Sequence, residues 1–265
     1  MKEVFSMWKS TKMVVLVALC AGLYAALLIP FKSIVLIPGI TEVRPASALP
    51  VVMGLLFGPA GAWGSAIGNL IGDFFGSLGI GSIFGFVGNF MFAYIPYKVW
   101  DNMGLVNKND REPDLKSGRK IWTFIVAALG GALGCALIIG WGLELLGMVP
   151  FAALGAIITL NNSIPSIVLG IPLLIVLYPR IKKWDLMWTD ILPPEDMPKT
   201  GAAARMGSII MYLGVMFGLL GGLAVAAGAA GQELFSFTGQ AGEGTSVILV
   251  AGIGVAATFI GSFMQ

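Results

Sequence analysis

The sequence predicts an all-α membrane protein, and three observations carry that prediction. The 265 residues are 57% hydrophobic and 11% charged, against about 25% charged in soluble domains. The mean hydropathy is +0.89. The apolar runs between charges reach the ~20 residues that a helix needs to cross a bilayer. The expected organisation is a six-helix membrane core over 1–180, a cytoplasmic polar linker over 181–205 and a two-helix membrane extension over 206–265.

The elements follow in order. Residues 1–12 form a short basic lead with Lys2, Lys9 and Lys12. A first span, about Met13–Ile29, ends at Pro30. With no small-residue cleavage site after it, it reads as a retained helix. A loop over Phe31–Arg44 contains Pro38, Gly39 and Glu42. Pro45 suits the first turn of a second span, where its missing N–H costs nothing, and Gly58-Pro59 breaks that span. The third runs from Ala60 to about Phe75, the fourth from Ile80 to about Val99. After the hydrophilic stretch Asp101–Lys120 comes a fifth span, about Ile121–Leu146. The sixth, Phe151–Tyr178, includes Pro165 and Pro172, tolerated where neighbours re-satisfy the freed carbonyls. Pro179–Arg205 is polar and proline-rich. The seventh span covers Met206–Ala230 and the eighth Ser246–Phe263. The linker between them holds Glu233 and Glu243 and no basic residue.

Charge sets the orientation, because cytoplasmic segments carry the Lys/Arg excess. With eight crossings and the N-terminus inside, segments 1–12, 98–120 and 180–205 hold 14 of the 16 basic residues. Only Lys32 and Arg44 fall outside. A single crossing over Pro45–Phe75 would move the basic residues of 98–120 outside, so the pattern favours two. Both termini are expected to be cytoplasmic, in a multi-pass cell-membrane protein.

Within the apolar stretch Thr41–Trp100 stand Glu42, Arg44, Asn69, Asp73 and Asn89. Ionisable groups in lipid are costly and mark functional sites. Asn69 and Asp73 are four apart on one helix face. Asn161, Asn162 and Ser163 fall in the outer to middle part of the sixth span. This topology puts the whole set in the outer half of the bundle, and none in the inner half of the first six spans. The arrangement points to a solute pocket loaded from outside. The alternative for Asn69, Asp73 and Asn89 is interhelical hydrogen-bond glue. On the first span Ala18, Gly22 and Ala26 recur every four residues, a spacing that lets helices approach closely.

Several classes are excluded or left without support. Cys20 and Cys135 lie in apolar runs without CxxC spacing, and there is no His, so a zinc site and a His-based proton relay have no ligands. No GxxxxGK[ST] occurs, so the chain carries no P-loop for ATP. No aspartate-rich pair of DxxxD motifs occurs, and HExxH is absent as well. No cofactor, metal or nucleic-acid partner and no enzymatic activity are expected.

The stretch EVRPASALPVVMGLLFGPAGAWGSAIGNLIGDFFG, followed by GSIFGFVGNFMFAYIPYKVW, resembles the substrate-binding membrane subunit (S component) of energy-coupling factor (ECF) transporters. The resemblance covers about residues 10–180. It implies an S-component-like six-helix core that captures a vitamin or related micronutrient on the outer side. It also implies a transmembrane coupling subunit and two cytoplasmic ATPases as partners, and toppling in the membrane to release the solute inward. In that family small residues of the first helix meet the coupling subunit; Ala18, Gly22 and Ala26 match, with Gly in the centre. The pocket positions map onto Glu42, Arg44, Asn89, Asn161 and Asn162, and Asp73 belongs to a GNxxGD-like stretch. The two extra spans depart from the six-helix pattern. Two other readings stay open: a stand-alone secondary transporter with Asp73 as coupling carboxylate, and a membrane scaffold that binds no solute. An amide-rich pocket with one acid and one base suits a polar heterocycle such as riboflavin, a pterin, a deazapurine base or a cobalamin precursor.

Overall fold

The computed structural model describes residues 1–38, 40–107, 110–198, 200–227 and 244–265. Gly39, Glu233 and Glu243 lie outside the described residues. The described residues are mostly helical: α1 Lys2–Ser6, α2 Thr11–Leu28, α3 Ala48–Phe57, α4 Pro59–Asp73, α5 Ser82–Asn102 and α6 Gly118–Leu145. There follow α7 Phe151–Val168, α8 Gly170–Lys183, α9 Trp188–Ile191, α10 Ala202–Ala226 and α11 Thr245–Phe263. Among the described residues the strands are β1, Val35–Ile37, and β2, Thr41–Glu42, paired antiparallel before α3.

Among the described residues five helices are long and apolar enough to cross a membrane: α2 with its 3₁₀ continuation to Ser33, α6, α7, α10 and α11. The all-α membrane fold is the one the composition predicts. α5 has the length, at 21 residues, but Lys98, Asp101 and its tyrosines make it less apolar. The break at Gly58-Pro59 is a helical hairpin. Gly58 has φ +52°, which glycine adopts without strain, and Pro59 opens α4 where its missing N–H is harmless. The two arms lie so close that a Cβ on Gly61 would sit 2.2 Å from the Met53 carbonyl oxygen.

The predicted sixth span is divided at Leu169 into α7 and α8. Pro172 has no N–H to offer Val168 and its ring crowds that carbonyl, so the division falls one turn before it. Pro165 sits within α7 without ending it.

α5 and α6 form the centre. Every residue from Met91 to Trp100 is buried, as expected of a helix surrounded on all sides by others. α4 and α3 cover one flank, and α2 packs on α4. The α2–α4 contact uses glycine: a Cβ on Gly64 would meet Cys20 Cβ at 2.3 Å, and one on Gly68 the Ala21 carbonyl oxygen at 2.8 Å. Ala18, Gly22 and Ala26 turn away from that contact and are exposed. Nothing lies within 4 Å of a Cβ built on Gly22.

α10 and α11 pack on each other and seat against α5, α6 and α7. Tyr212 donates to the Val126 carbonyl at 3.1 Å, and Trp141 Nε1 donates to that of Ile248 at 3.1 Å. The pair is closed by glycines. A Cβ on Gly254 would stand 2.2 Å from Gly218 Cα, so no side chain can relieve the clash and the backbones must separate. Gly254→Ala is expected to cost about 1–3 kcal/mol and to lower the thermal midpoint of the detergent-purified protein. An unchanged midpoint would contradict the close approach.

One polar placement corrects the sequence reading. Lys98, counted above with the cytoplasmic segment, is buried within α5 and 1% exposed. Its Nζ lies 2.6 Å from Glu3 Oε1 and 4.8 Å from the centre of the Tyr97 ring. Glu3 is also 1% exposed. A buried ion pair therefore exists at the end of the bundle where no buried polar group was expected. The lead is no loose basic tail: Trp63 Nε1 donates to the Val4 carbonyl at 2.9 Å, so α1 is pinned to both α4 and α5.

Candidate functional site

At the other end, where α4 ends and α5 begins, charged and amide side chains surround a cavity of about 160 Å³. Four sequence-predicted residues, Glu42, Arg44, Asn69 and Asp73, line it, together with Lys32 and Ser77. The local folding explains why they meet. Pro30 and the 3₁₀ turn Ile29–Ser33 bring Lys32 over the end of α2. The β1–β2 hairpin and the turn Pro45–Ser47 then deliver Glu42 and Arg44 to the mouth of α4. Asn69 and Asp73, one helical turn apart, complete the wall.

The contacts form one network. Arg44 Nη2 donates to Asn69 Oδ1, and Arg44 Nε lies 3.5 Å from Glu42 Oε1. Asn69 Nδ2 donates to Asp73 Oδ2 at 3.3 Å. Lys32 Nζ stands 3.3 Å from Glu42 Oε1 and 3.7 Å from Asp73 Oδ1, and donates to Ser77 Oγ at 2.6 Å. Ser77 in turn donates to Asp73 Oδ1 at 3.2 Å. Two cations thus balance two carboxylates in a space shielded from water, where such interactions are strong. Glu42, Arg44, Asn69 and Asp73 are each between 3% and 8% exposed. The remaining wall is apolar, with Ile139 and Leu143 of α6 and Ile158 of α7.

The other predicted residues lie outside this lining. Asn89 accepts from Tyr24 OH and donates to the Gly85 carbonyl, both at 2.8 Å, and so joins α5 to α2. Asn161 accepts from the Arg44 backbone N–H at 3.1 Å and donates to the Glu42 carbonyl at 2.6 Å. It fastens the backbone that presents both charged groups. Asn162 accepts from Ser47 Oγ at 2.9 Å, and its side chain also meets the Cys135 thiol. Ser163 is buried beside it, its hydroxyl unpartnered among the described residues.

Sequence reasoning passed over Lys32 and Ser77. The signal for Lys32 was present in the charge pattern, since it and Arg44 were the two basic residues left on the outer side. Ser77 had none. A second, larger hollow of about 330 Å³ lies at the far end of α5, where no pocket was expected.

The structure is thus a helical membrane bundle that encloses a small polar cavity between its helices, and the family match gives its class, a membrane transport protein. Residues 14–179 match the model of a family described as QueT transporter, and the chain belongs to that family. Its members are ECF S components, queuosine precursor transporters. The match runs from α2 into α8, so α10 and α11 lie beyond it. Comparisons with curated proteins and with solved structures find no match to this chain.

Proposed function

We propose that the chain is the capture subunit of an ECF-type importer, binding a queuosine precursor or a related polar heterocycle. A transmembrane coupling subunit and two cytoplasmic ATPases would then drive the solute inward. The observation that carries this reading is the convergence of Glu42, Arg44, Asn69 and Asp73 on one cavity. Fixed donors and acceptors there can read the edge of a ring, while the apolar wall receives its face. A volume of about 160 Å³ favours a compact solute, since drug-sized ligands occupy about 300–1,000 Å³. The charge distribution supports placing this mouth outside and both termini in the cytoplasm.

The exposed stripe Ala18, Gly22 and Ala26 supports a partner on α2. Small residues left exposed leave a face on which another helix can lie closely. Asp73 is already engaged by Lys32, Ser77 and Asn69, which favours binding over the titrating role a secondary transporter needs.

Gly22→Leu separates capture from delivery. The side chain has open space, so the isolated protein should fold and bind solute as before. Uptake into proteoliposomes that also contain the coupling subunit and ATPases should fall at least about tenfold. Concentrative uptake by the chain alone, or full uptake by Gly22→Leu with its partners, would defeat the proposal.

A further inference from the structure

The hollow at the far end of α5 is about 330 Å³, twice the volume of the polar cavity. Some fifteen residues of α5, from Gly85 to Trp100, separate the two, or roughly 22 Å at 1.5 Å per residue. Its walls combine the C-terminal end of α5 with the 111–113 segment, α8 and the polypeptide around α9. We propose that this hollow is a second small-molecule site, for a planar heterocycle whose edge carries N–H donors beside a carbonyl acceptor.

Shape supplies the first argument. Tyr97, Trp100, Tyr178 and Trp188 all line the space. The Tyr97 and Trp188 rings lie edge to face with centres 5.0 Å apart. Aromatic walls receive flat rings by stacking without regard to substituents. The volume falls within the range of ordinary ligand pockets, about 300–1,000 Å³.

The second argument is the state of the polar groups. Most of those around the hollow are engaged: Trp100 Nε1 donates to the Arg111 carbonyl at 2.6 Å, and Tyr178 OH donates to Glu112 Oε2 at 2.5 Å. One is open. The Tyr97 hydroxyl has no partner although the residue is 1% exposed. The Asp101 carboxylate and the Arg111 guanidinium both line the space, half-buried, and attract each other without closing a hydrogen bond to one another among the described residues. A buried hydroxyl left unpaired is costly, and a ligand edge that completes it and bridges the two half-buried charges is favoured.

The chemistry of these groups selects the ligand. A simple cation would satisfy Asp101 and leave Arg111 facing like charge, and a simple anion would do the reverse. An edge with adjacent donors and a carbonyl, as in guanine-type rings, satisfies both, with the Tyr97 hydroxyl available to either. The assignment does not rest on the transport reading of the polar cavity.

Equilibrium dialysis of the full-length, detergent-purified protein with 7-deazaguanine tests it, with tryptophan fluorescence as the reporter. No tryptophan lines the polar cavity, whereas Trp100 and Trp188 line this one. The wild type should bind two equivalents and Asp101→Asn one. Arg44→Ala should retain one equivalent, and its binding should quench tryptophan emission. Tyr97→Phe, which removes only an unpartnered hydroxyl, should weaken the quenching equivalent about tenfold. 7-Deazapurine, which lacks the donor and carbonyl edge, should bind there at least about tenfold more weakly than 7-deazaguanine. Absence of a quenching equivalent overturns the proposal, as does a second equivalent indifferent to both Asp101→Asn and Tyr97→Phe. An equivalent sensitive to Arg44 alone belongs to the polar cavity, so failure of one site is distinguishable from failure of the other.

Discussion

Arg44→Ala is expected to weaken solute binding at the polar cavity by about a hundredfold or more. The guanidinium touches both Glu42 and Asn69, and the residue is 7% exposed. Truncating a buried, hydrogen-bonded charge costs about 2–5 kcal/mol, much of it from the partner left behind. Glu42 would keep Lys32 at 3.3 Å, so the fold should survive while the recognition surface does not. Arg44→Lys should fall in between, because an ammonium retains the charge but not the planar fork. Calorimetric titration at the polar cavity reads the result. Binding to Arg44→Ala within a few-fold of wild type would remove Arg44 from the site.

Glu3→Gln should produce the largest loss of stability. Lys98 has Glu3 at 2.6 Å as its direct anionic partner among the described residues, and both side chains are almost completely buried. Removing one member of a buried pair strands the other charge and costs roughly 3–5 kcal/mol. The rings of Tyr94 and Tyr97 near Lys98 Nζ, at 5.5 and 4.8 Å, offset only part of this. The double variant Glu3→Gln with Lys98→Met should recover much of the loss, since the buried ammonium of Lys98 is then gone, while the partly exposed amino terminus, 3.2 Å from Glu3 Oε2, keeps the Gln265 carbonyl. Thermal unfolding in detergent reads both. A neutral single variant, or a double no better than the single, would show that the pair is solvated.

These two ion groups differ in how plainly the sequence announces them. Glu42, Arg44, Asn69 and Asp73 interrupt an apolar stretch, and their cost in lipid makes them conspicuous before any coordinates exist. Lys98 stands three residues before Asp101 at the end of a span, where lysine is ordinarily solvated, and its partner lies in a lead that resembles a basic tail. Only tertiary packing brings Glu3 back to α5. The backbone breaks follow similar logic. Gly58-Pro59 states its turn locally, through a positive φ and a missing N–H. Pro165 and Pro172 look alike in sequence, yet α7 continues through the first and stops just ahead of the second.

The amides show where local reading ends. Asn69, Asn89, Asn161 and Asn162 give one signal, a polar group in an apolar helix, but the fold uses them differently. Asn69 faces the cavity, Asn89 links α2 to α5, and Asn161 secures the Glu42–Arg44 backbone. The small-residue stripes divide in the same way. Gly214, Gly218 and their neighbours on α10 are consumed by α11, whereas Ala18, Gly22 and Ala26 stay exposed. Spacing alone cannot separate a stripe that is filled from one that is free.

The glycine seam between α10 and α11, and the seating of that pair on α5, α6 and α7, bear on how the molecule can move. Any tilt of the body within the bilayer must carry these two helices as ballast. A wider cross-section sweeps aside more lipid, so the drag on reorientation rises with bilayer viscosity more steeply than for a bundle without the added pair.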